Sequence, residues 1–461
     1  MRDILVTVIF VGGLIMTIRR PYVAAMLWVW IGLMNPHRLS WGFAHDLPFG
    51  LIAAAALFFS IVINPGKASW PKGGAVFLLI LLSAWMSITT YAAISPDESL
   101  AKYIHVMKVM LMSLAVASVI RTRDEIVGMV ILMAASISFF GIKGGIFTLL
   151  SGGGFVVWGP PSSVIEGNNE LAVAVIITVP LLYYLSTQLA LIKELLPVIR
   201  KVPDYWMKAG LYAAIFLCLI AALGSQSRGA LLAMTSMGAV LWWRSKSRLA
   251  LAVMIVMMGA VALVFMPETW MGRMNTIATY DQDASAMGRI NAWTMAINIA
   301  NDRILGAGFA TDLPWIYQRY APNPDFVIVA HSIYFQILGE HGYIGLFLYL
   351  GFWFLTYRLA NRITNLTKGN KDLQWANMLG AMSKVSLIGF AVGGMFLSLA
   401  YWDMPFYIMV ILLCTERLLG TPVTQTASVR AVADPIPEAV PTSNRPRKGS
   451  TGAIPSNNNG R

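Results

Sequence analysis

Three residues have side chains suited to polar chemistry and stand where long apolar runs are interrupted: Arg228 in SQSRGALLAM, Arg289 in SAMGRINAWT and His331 in VIVAHSIYF. A guanidinium is a planar fork of donors that matches two oxygens of a phosphate or carboxylate at once. An imidazole, with an unperturbed pKa of ~6.5, can take a proton near neutral pH. Each residue also has a plainer reading. Arg228 would serve as an interfacial anchor whose charge snorkels to water, Arg289 as a solvated surface charge, and His331 as a helix cap. Residue type alone does not choose between the readings.

The elements that must position them belong to a membrane. Hydrophobic residues make up 57% of the 461-residue chain and charged residues 12%, against roughly a quarter charged in a soluble domain. The formal charge of +12 suggests nucleic acid only until positions are read. The basic residues fall between apolar runs, where they orient membrane helices, so no nucleic-acid partner is expected. Cys218 and Cys414 both lie inside apolar runs and suggest neither a disulfide framework nor a metal site. Arg2 and Asp3 precede an apolar run without an A-x-A site, which reads as a retained first helix.

Apolar runs predict spans at 4–18, 21–34, 49–64, 73–91, 103–120, 125–149, 170–190, 207–224, 229–243, 248–266, 332–357, 379–400 and 404–419. The expected fold is all-α, a polytopic transmembrane bundle of about 12–13 spans. One set of connections holds Arg19, Arg20, Lys67, Lys72, Arg121, Arg123, Lys193, Arg200, Lys201, Lys208, Arg244, Lys246, Arg248, Arg358, Arg362, Lys368 and Lys371; the short loops of the other hold only Arg38, Lys102 and Arg228. The dense set is cytoplasmic by the positive-inside rule. That puts Arg228, the loop 150–169 and the long segment 267–331 outside. The N-terminus is outside if all the runs cross, and inside if one re-enters. Segment 421–461, rich in Pro, Ser, Thr and Asn, is expected to be a disordered cytoplasmic tail.

Within the long exterior segment, helical spacing over 285–301 puts Met287, Ile290, Trp293, Ile297 and Ala300 on one face, with Ser285 as N-cap and Arg289 on the polar side. DRILGAGFATDLPW, from Asp302, turns. His331 closes the segment just before the next span, so topology alone gathers the three residues at the outer boundary. Secondary candidates are weighed beside them. Lys102, His105 and Lys108 make one helix face basic, as a guide for anions or as snorkelling charges. Lys143, inside FFGIKGGIFTLL, is either a cavity residue or an isolated intramembrane charge. Glu340 reads as structural. Gly339, Gly342 and Gly345 read as a small-residue stripe for close helix packing. Asp281 and Asp283 imitate a metal motif but read as a turn. His37, His45 and His341 belong to no constellation, and most tryptophans read as interfacial anchors.

In context, three stretches resemble the O-antigen ligase superfamily, which includes O-antigen polymerases and bacterial protein O-oligosaccharyltransferases. They are SRGALLA with Arg228, GRINAWTMAINIANDRILGAGFA (288–310), and AHSIYFQILGEHGYIGL (330–346). GNNELA (167–172), with Asn169, also looks like the family's Asn-containing entry to a span. Ser332 departs from the pattern, many members having Asn there. The first hundred or so residues resemble O-glycosylation ligases associated with exosortase systems. The resemblance implies N-terminal transmembrane helices over 1–166, a ligase-like core over 167–420 and the tail 421–461. It implies an enzyme of the bacterial inner membrane whose active site faces the periplasm. That enzyme would move a glycan from a polyprenyl (undecaprenyl) diphosphate to a hydroxyl acceptor, lipid A-core, protein or growing glycan. Arg228 and Arg289 would hold the diphosphate, His331 would be the general base, and Lys108, Lys143 and Asn169 would be secondary. Two guanidinium groups neutralise the leaving charge, so no metal or other cofactor is expected. Against a secondary transporter or flippase stands the charge distribution: the ionisable residues gather at one face, not at the midplane in two broken-helix halves. Reporter fusions after Arg228 and within 270–325 are expected to read as exterior, and those at 193–208, 244–248 and 358–372 as cytoplasmic; a cytoplasmic signal from 270–325 overturns the placement.

Overall fold

The computed structural model describes residues 1–244, 249 and 284–420. The expected span 248–266 apart from Leu249, the Asp281/Asp283 pair and the tail 421–461 lie outside the described residues. Among the described residues the secondary structure is helical, without strands. The helices are α1 (Arg2–Thr17), α2 (Pro21–Met34), α3 (Phe49–Ile63), α4 (Gly74–Tyr91), α5 (Pro96–Val119), α6 (Arg123–Leu150), α7 (Asn168–Leu185), α8 (Leu189–Leu195), α9 (Asp204–Gly224), α10 (Arg228–Arg244), α11 (Ala284–Asp302), α12 (Pro314–Tyr320), α13 (Ile333–Leu366), α14 (Gln374–Gly393) and α15 (Asp403–Leu419). Every expected span but 248–266 coincides with one of them. Helices α4, α5, α6, α7, α9, α13 and α14 are long and apolar enough to cross a bilayer, and α2 and α3 are shorter apolar helices. The chain is a multi-pass membrane protein.

Helix boundaries follow local chemistry. Pro21 and Pro96 open α2 and α5 at the position where a missing N–H costs nothing. Thr122 and Glu125 form a reciprocal capping box at the start of α6. Hydrogen bonds then sort the connections to two ends. At one end Lys67 Nζ donates to Arg19 O (2.7 Å), Arg121 to Gly66 O (2.6 Å) and Arg123 to Gln188 Oε1 (3.0 Å). At the other, Asp3 Oδ1 accepts from Gly42 and Ala44 N–H, Ile94 N–H donates to Ala307 O, and Val157 N–H to Gly224 O. The start of α1 therefore lies at the end opposite Arg19, Lys67 and Arg121.

The core forms where α6, α7, α9 and α14 approach closely. A Cβ on Gly145 would lie 2.2 Å from Leu217 O, so α6 and α9 meet almost backbone to backbone. Helix α7 is buried along most of its length, and a Cβ on Gly393 of α14 would crowd Val173.

Three local expectations are corrected. Helix α11 begins at Ala284, which places Ser285 inside it. Its buried face is Gly288, Asn291, Ala292, Met295, Ala296, Ile299 and Ala300, while Met287 (41%), Ile290 (40%) and Ile297 (38%) are exposed. In a membrane protein the bulkier apolar stripe can face lipid, and the small residues make the close contact with protein. The glycines of α13 are not one packing stripe either. Gly339 does face Ala296 of α11, but Gly342 (φ 68°, ψ −172°) breaks the helix and lies against the 304–306 backbone. Replacing Gly145 by Val is expected to destabilise the fold by about 1–3 kcal/mol through overpacking, read as a lowered unfolding midpoint in detergent.

Candidate active site

The Arg228 corner is built by short local bonds. Helix α9 ends at Gly224, Gln226 takes a positive φ (56°), and Ser227 Oγ accepts from Ala230 N–H at 3.2 Å, which caps α10 and sets Arg228 as its first residue. Asn168 Nδ2 donates to Ser225 O at 2.8 Å and ties this corner to the first turn of α7, where Asn169 sits half-buried. A Cβ on Gly229 would touch Phe396 (3.3 Å), so α10 starts against the segment that follows α14. Arg228 is half-buried.

His331 is held from three sides. Trp293 Nε1 donates to Ala330 O (2.7 Å), and its ring stacks on Phe335 at 4.8 Å. The His331 N–H donates to Ser398 Oγ at 3.0 Å. Ser332 is the buried N-cap residue of α13. His331 adopts φ 44°, a left-handed conformation uncommon for a side chain with a Cβ and often found at functional positions. Helices α11 and α12 also carry the chain that leads here: from α11, Asn291 Nδ2 donates to Asn323 O and Phe326 O and Asn298 Nδ2 to Tyr320 O, and from α12, Tyr317 OH donates to Ile328 O.

Arg289 lies within Coulombic range of His331. Burial lowers the His331 pKa below the ordinary histidine value, and the nearby Arg289 charge lowers it further. Arg289 also lies within Coulombic range of Glu170 in the first turn of α7. It is half-buried, which does not fit a solvated surface charge. Arg228 is linked to this end through its flanks, Ser225 to Asn168 of the α7 start and Gly229 to Phe396, two residues before Ser398. The secondary lysines do not join: Lys108 and Lys143 are exposed on the flanks of α5 and α6, and among the described residues no hydrogen bond or ion pair links either to this group. Among the described residues no three metal-ligating side chains cluster.

Sequence reasoning missed a buried polar network next to this site. Glu340 (1% exposed) is paired with Lys102 and accepts from Tyr401 OH. His341 (0% exposed), to which the sequence assigned no role, lies between Thr89 Oγ1 (2.7 Å) and Tyr401 OH (3.0 Å). Only the run of intramembrane ionisable residues, Glu340-His341, signalled it. Glu170 was likewise unremarked inside GNNELA.

Two family models match the chain. Residues 1–190 match a family of unknown function (DUF5935), and residues 213–350 match the family described as O-antigen ligase. No curated protein matches. The ligase match spans Arg228, Arg289 and His331 together with the scaffold helix α11, and it identifies the segment 213–350 as a domain of the O-antigen ligase superfamily.

Proposed function

We propose that this protein is a glycosyltransferase of O-antigen ligase type, acting at the periplasmic face of a bacterial inner membrane. Its donor is a glycan on undecaprenyl diphosphate, and its acceptor a hydroxyl of lipid A-core in lipopolysaccharide biosynthesis. The observation that carries the reading is the approach of Arg289 to His331 inside the ligase-matched segment, at the end of the bundle where Arg228 opens α10.

In this scheme the lipid tail stays in the bilayer and the diphosphate sits at the interface between Arg228 and Arg289. His331 accepts the proton of the acceptor hydroxyl. The acceptor oxygen then attacks the anomeric carbon from the face opposite the diphosphate, the carbon–oxygen bond to phosphate breaks, and the configuration inverts. Negative charge grows on the departing diphosphate, where preorganised guanidinium donors stabilise it most. A protein hydroxyl or a growing glycan chain is the alternative acceptor, as in the oligosaccharyltransferases and polymerases of the superfamily. The first hundred residues favour an exosortase-associated member by resemblance. Mass spectrometry of products made from a defined donor with each acceptor class decides among them, and no transfer to any acceptor overturns the reading.

An ammonium cannot replace a bidentate guanidinium. Arg228→Lys and Arg289→Lys are expected to insert normally and lose activity at least tens-fold, from about 2–5 kcal/mol per contact at ~1.4 kcal/mol per decade. Wild-type turnover in either variant makes that arginine an interface anchor.

His331→Ala and His331→Gln are expected to lower turnover by ~10²–10⁴-fold with donor binding intact. The base must be neutral, and both burial and Arg289 favour the neutral form. The acid limb of the rate profile should therefore lie below the ordinary histidine value of ~6.5 and vanish in both variants. Near-normal turnover in the Gln variant would show that His331 only positions the acceptor.

A further inference from the structure

The region matching a family of unknown function reaches into the site through one corner, α4–α5. Arg303 donates to Ala92 O at 2.8 Å while its Nε donates to Gly306 O. Ile94 N–H donates to Ala307 O at 2.9 Å, and Lys102 Nζ to Phe309 O at 3.2 Å. The same corner grips the broken helix: Trp85 Nε1 donates to His341 O at 2.9 Å, Thr89 meets the His341 ring, and Lys102 pairs with Glu340.

Proton accounting gives the network a direction. Tyr401 has one hydroxyl proton and gives it to Glu340. Its 3.0 Å contact with His341 Nε2 is then satisfied only if that nitrogen carries the hydrogen. The bare Nδ1 then accepts from Thr89, whose other available acceptor is Met86 O. One chain results, Thr89 to His341 to Tyr401 to the Glu340 carboxylate, closed by Lys102 from the far side. A chain of this kind is satisfied completely or not at all, and a half-satisfied one is costly in a buried site.

Tyr401 ends a strap, 397–401, whose Ser398 holds the His331 N–H. Ala400 N–H donates to Gln336 Oε1 (3.4 Å), and Tyr349 OH to Ala400 O (3.3 Å). The strap is thus fixed at one end by the network and fixes His331 at the other.

We propose that the α4–α5 corner is a brace for the transferase site, with Lys102, Glu340 and Tyr401 as positioning residues that set His331 through the 397–401 strap and hold the 303–310 loop. This rests on the transferase reading above. The N-terminal region then has a specific part in the reaction without touching substrate.

The test uses full-length protein in nanodiscs with a polyprenyl-diphosphate glycan donor. It compares Lys102→Met, the double variant Lys102→Met/Glu340→Gln, and the near-isosteric Thr89→Val. Turnover and donor KM are measured on monodisperse protein, alongside hydrogen exchange of the 303–310 and 397–401 peptides. Lys102→Met is expected to speed exchange in both peptides and to lower kcat by about 10–100-fold, the scale of a small misplacement of a catalytic group. Donor KM should stay near wild type because both arginines are intact. The double variant, which leaves no unpaired charge, should recover most of kcat, and Thr89→Val should shift both readouts less in the same direction. Faster exchange with unchanged kcat would reduce the corner to scaffold and overturn the proposal, as would unchanged exchange in Lys102→Met. If wild type transfers nothing, the transferase reading fails, and the exchange measurement still tests the brace.

Discussion

The geometry of the site end depends on the break in α13 at Gly342. Its φ of 68° and ψ of −172° interrupt the helical ladder inside a membrane-spanning element, where backbone groups cannot be left to water. The loop after α11 meets the demand. Ala307 N–H donates to Gly339 O and Gly308 N–H to Glu340 O, both at 2.9 Å. Gly306 and Gly308 have φ of 68° and 84°, and a Cβ on Gly306 would lie 2.6 Å from Glu340 O. A side chain at that point would push the loop off the helix. The G-A-G sequence is therefore a docking surface for backbone, and the helix break and the loop exist only together.

From that junction the rest of the end is determined. The loop presents Phe309 to His341, ring centroids 4.6 Å apart, and to Tyr401 at 5.4 Å, filling the space beside the polar chain with an apolar face. Helix α11 is carried onto α13 with Ala296 against Gly339. Trp293, one turn before Ala296, thereby reaches the carbonyl that precedes His331. The histidine's position is thus inherited from backbone docking at Gly339 and Glu340, further along the same segment.

Much of this was legible in the sequence. Span positions followed from apolar runs because the bilayer demands a minimum length of apolar helix and tolerates little variation. The meeting of basic connections such as those of Lys67, Arg121 and Arg123 at one end followed from the same constraint. What failed failed for physical reasons. The α11 face was assigned by a rule for helices in water, where bulky apolar residues turn inward; here Ile290 and Ile297 turn outward and Asn291 turns in to hold Asn323. The Glu340–Lys102 pair joins residues 238 apart in the chain, and no local pattern encodes such a distance. Gly342 looked like its neighbours Gly339 and Gly345 because a glycine that packs and a glycine that bends have the same letter.

The charge balance around Arg289 bears on how such a site can wait for an anionic substrate. A half-buried guanidinium loses much of its hydration unless an anion stands near. Glu170, brought in by the first turn of α7, lies within its Coulombic reach, and Asn168 in the same turn anchors the Arg228 corner. One helix start therefore brings a carboxyl group within Coulombic reach of one arginine and ties down the corner that carries the other. On the proposed chemistry, the arriving diphosphate shares Arg289 with Glu170 and meets a fork already oriented. Burial, and then the Arg289 charge, lower the His331 pKa below the ordinary histidine value, which on the proposed chemistry suits a base that must act before the leaving group has departed. On that chemistry the same arginine adds to burial in favouring the neutral base and stabilises the leaving charge as the bond breaks, which is why the proposed reaction needs Arg289 and His331 as neighbours.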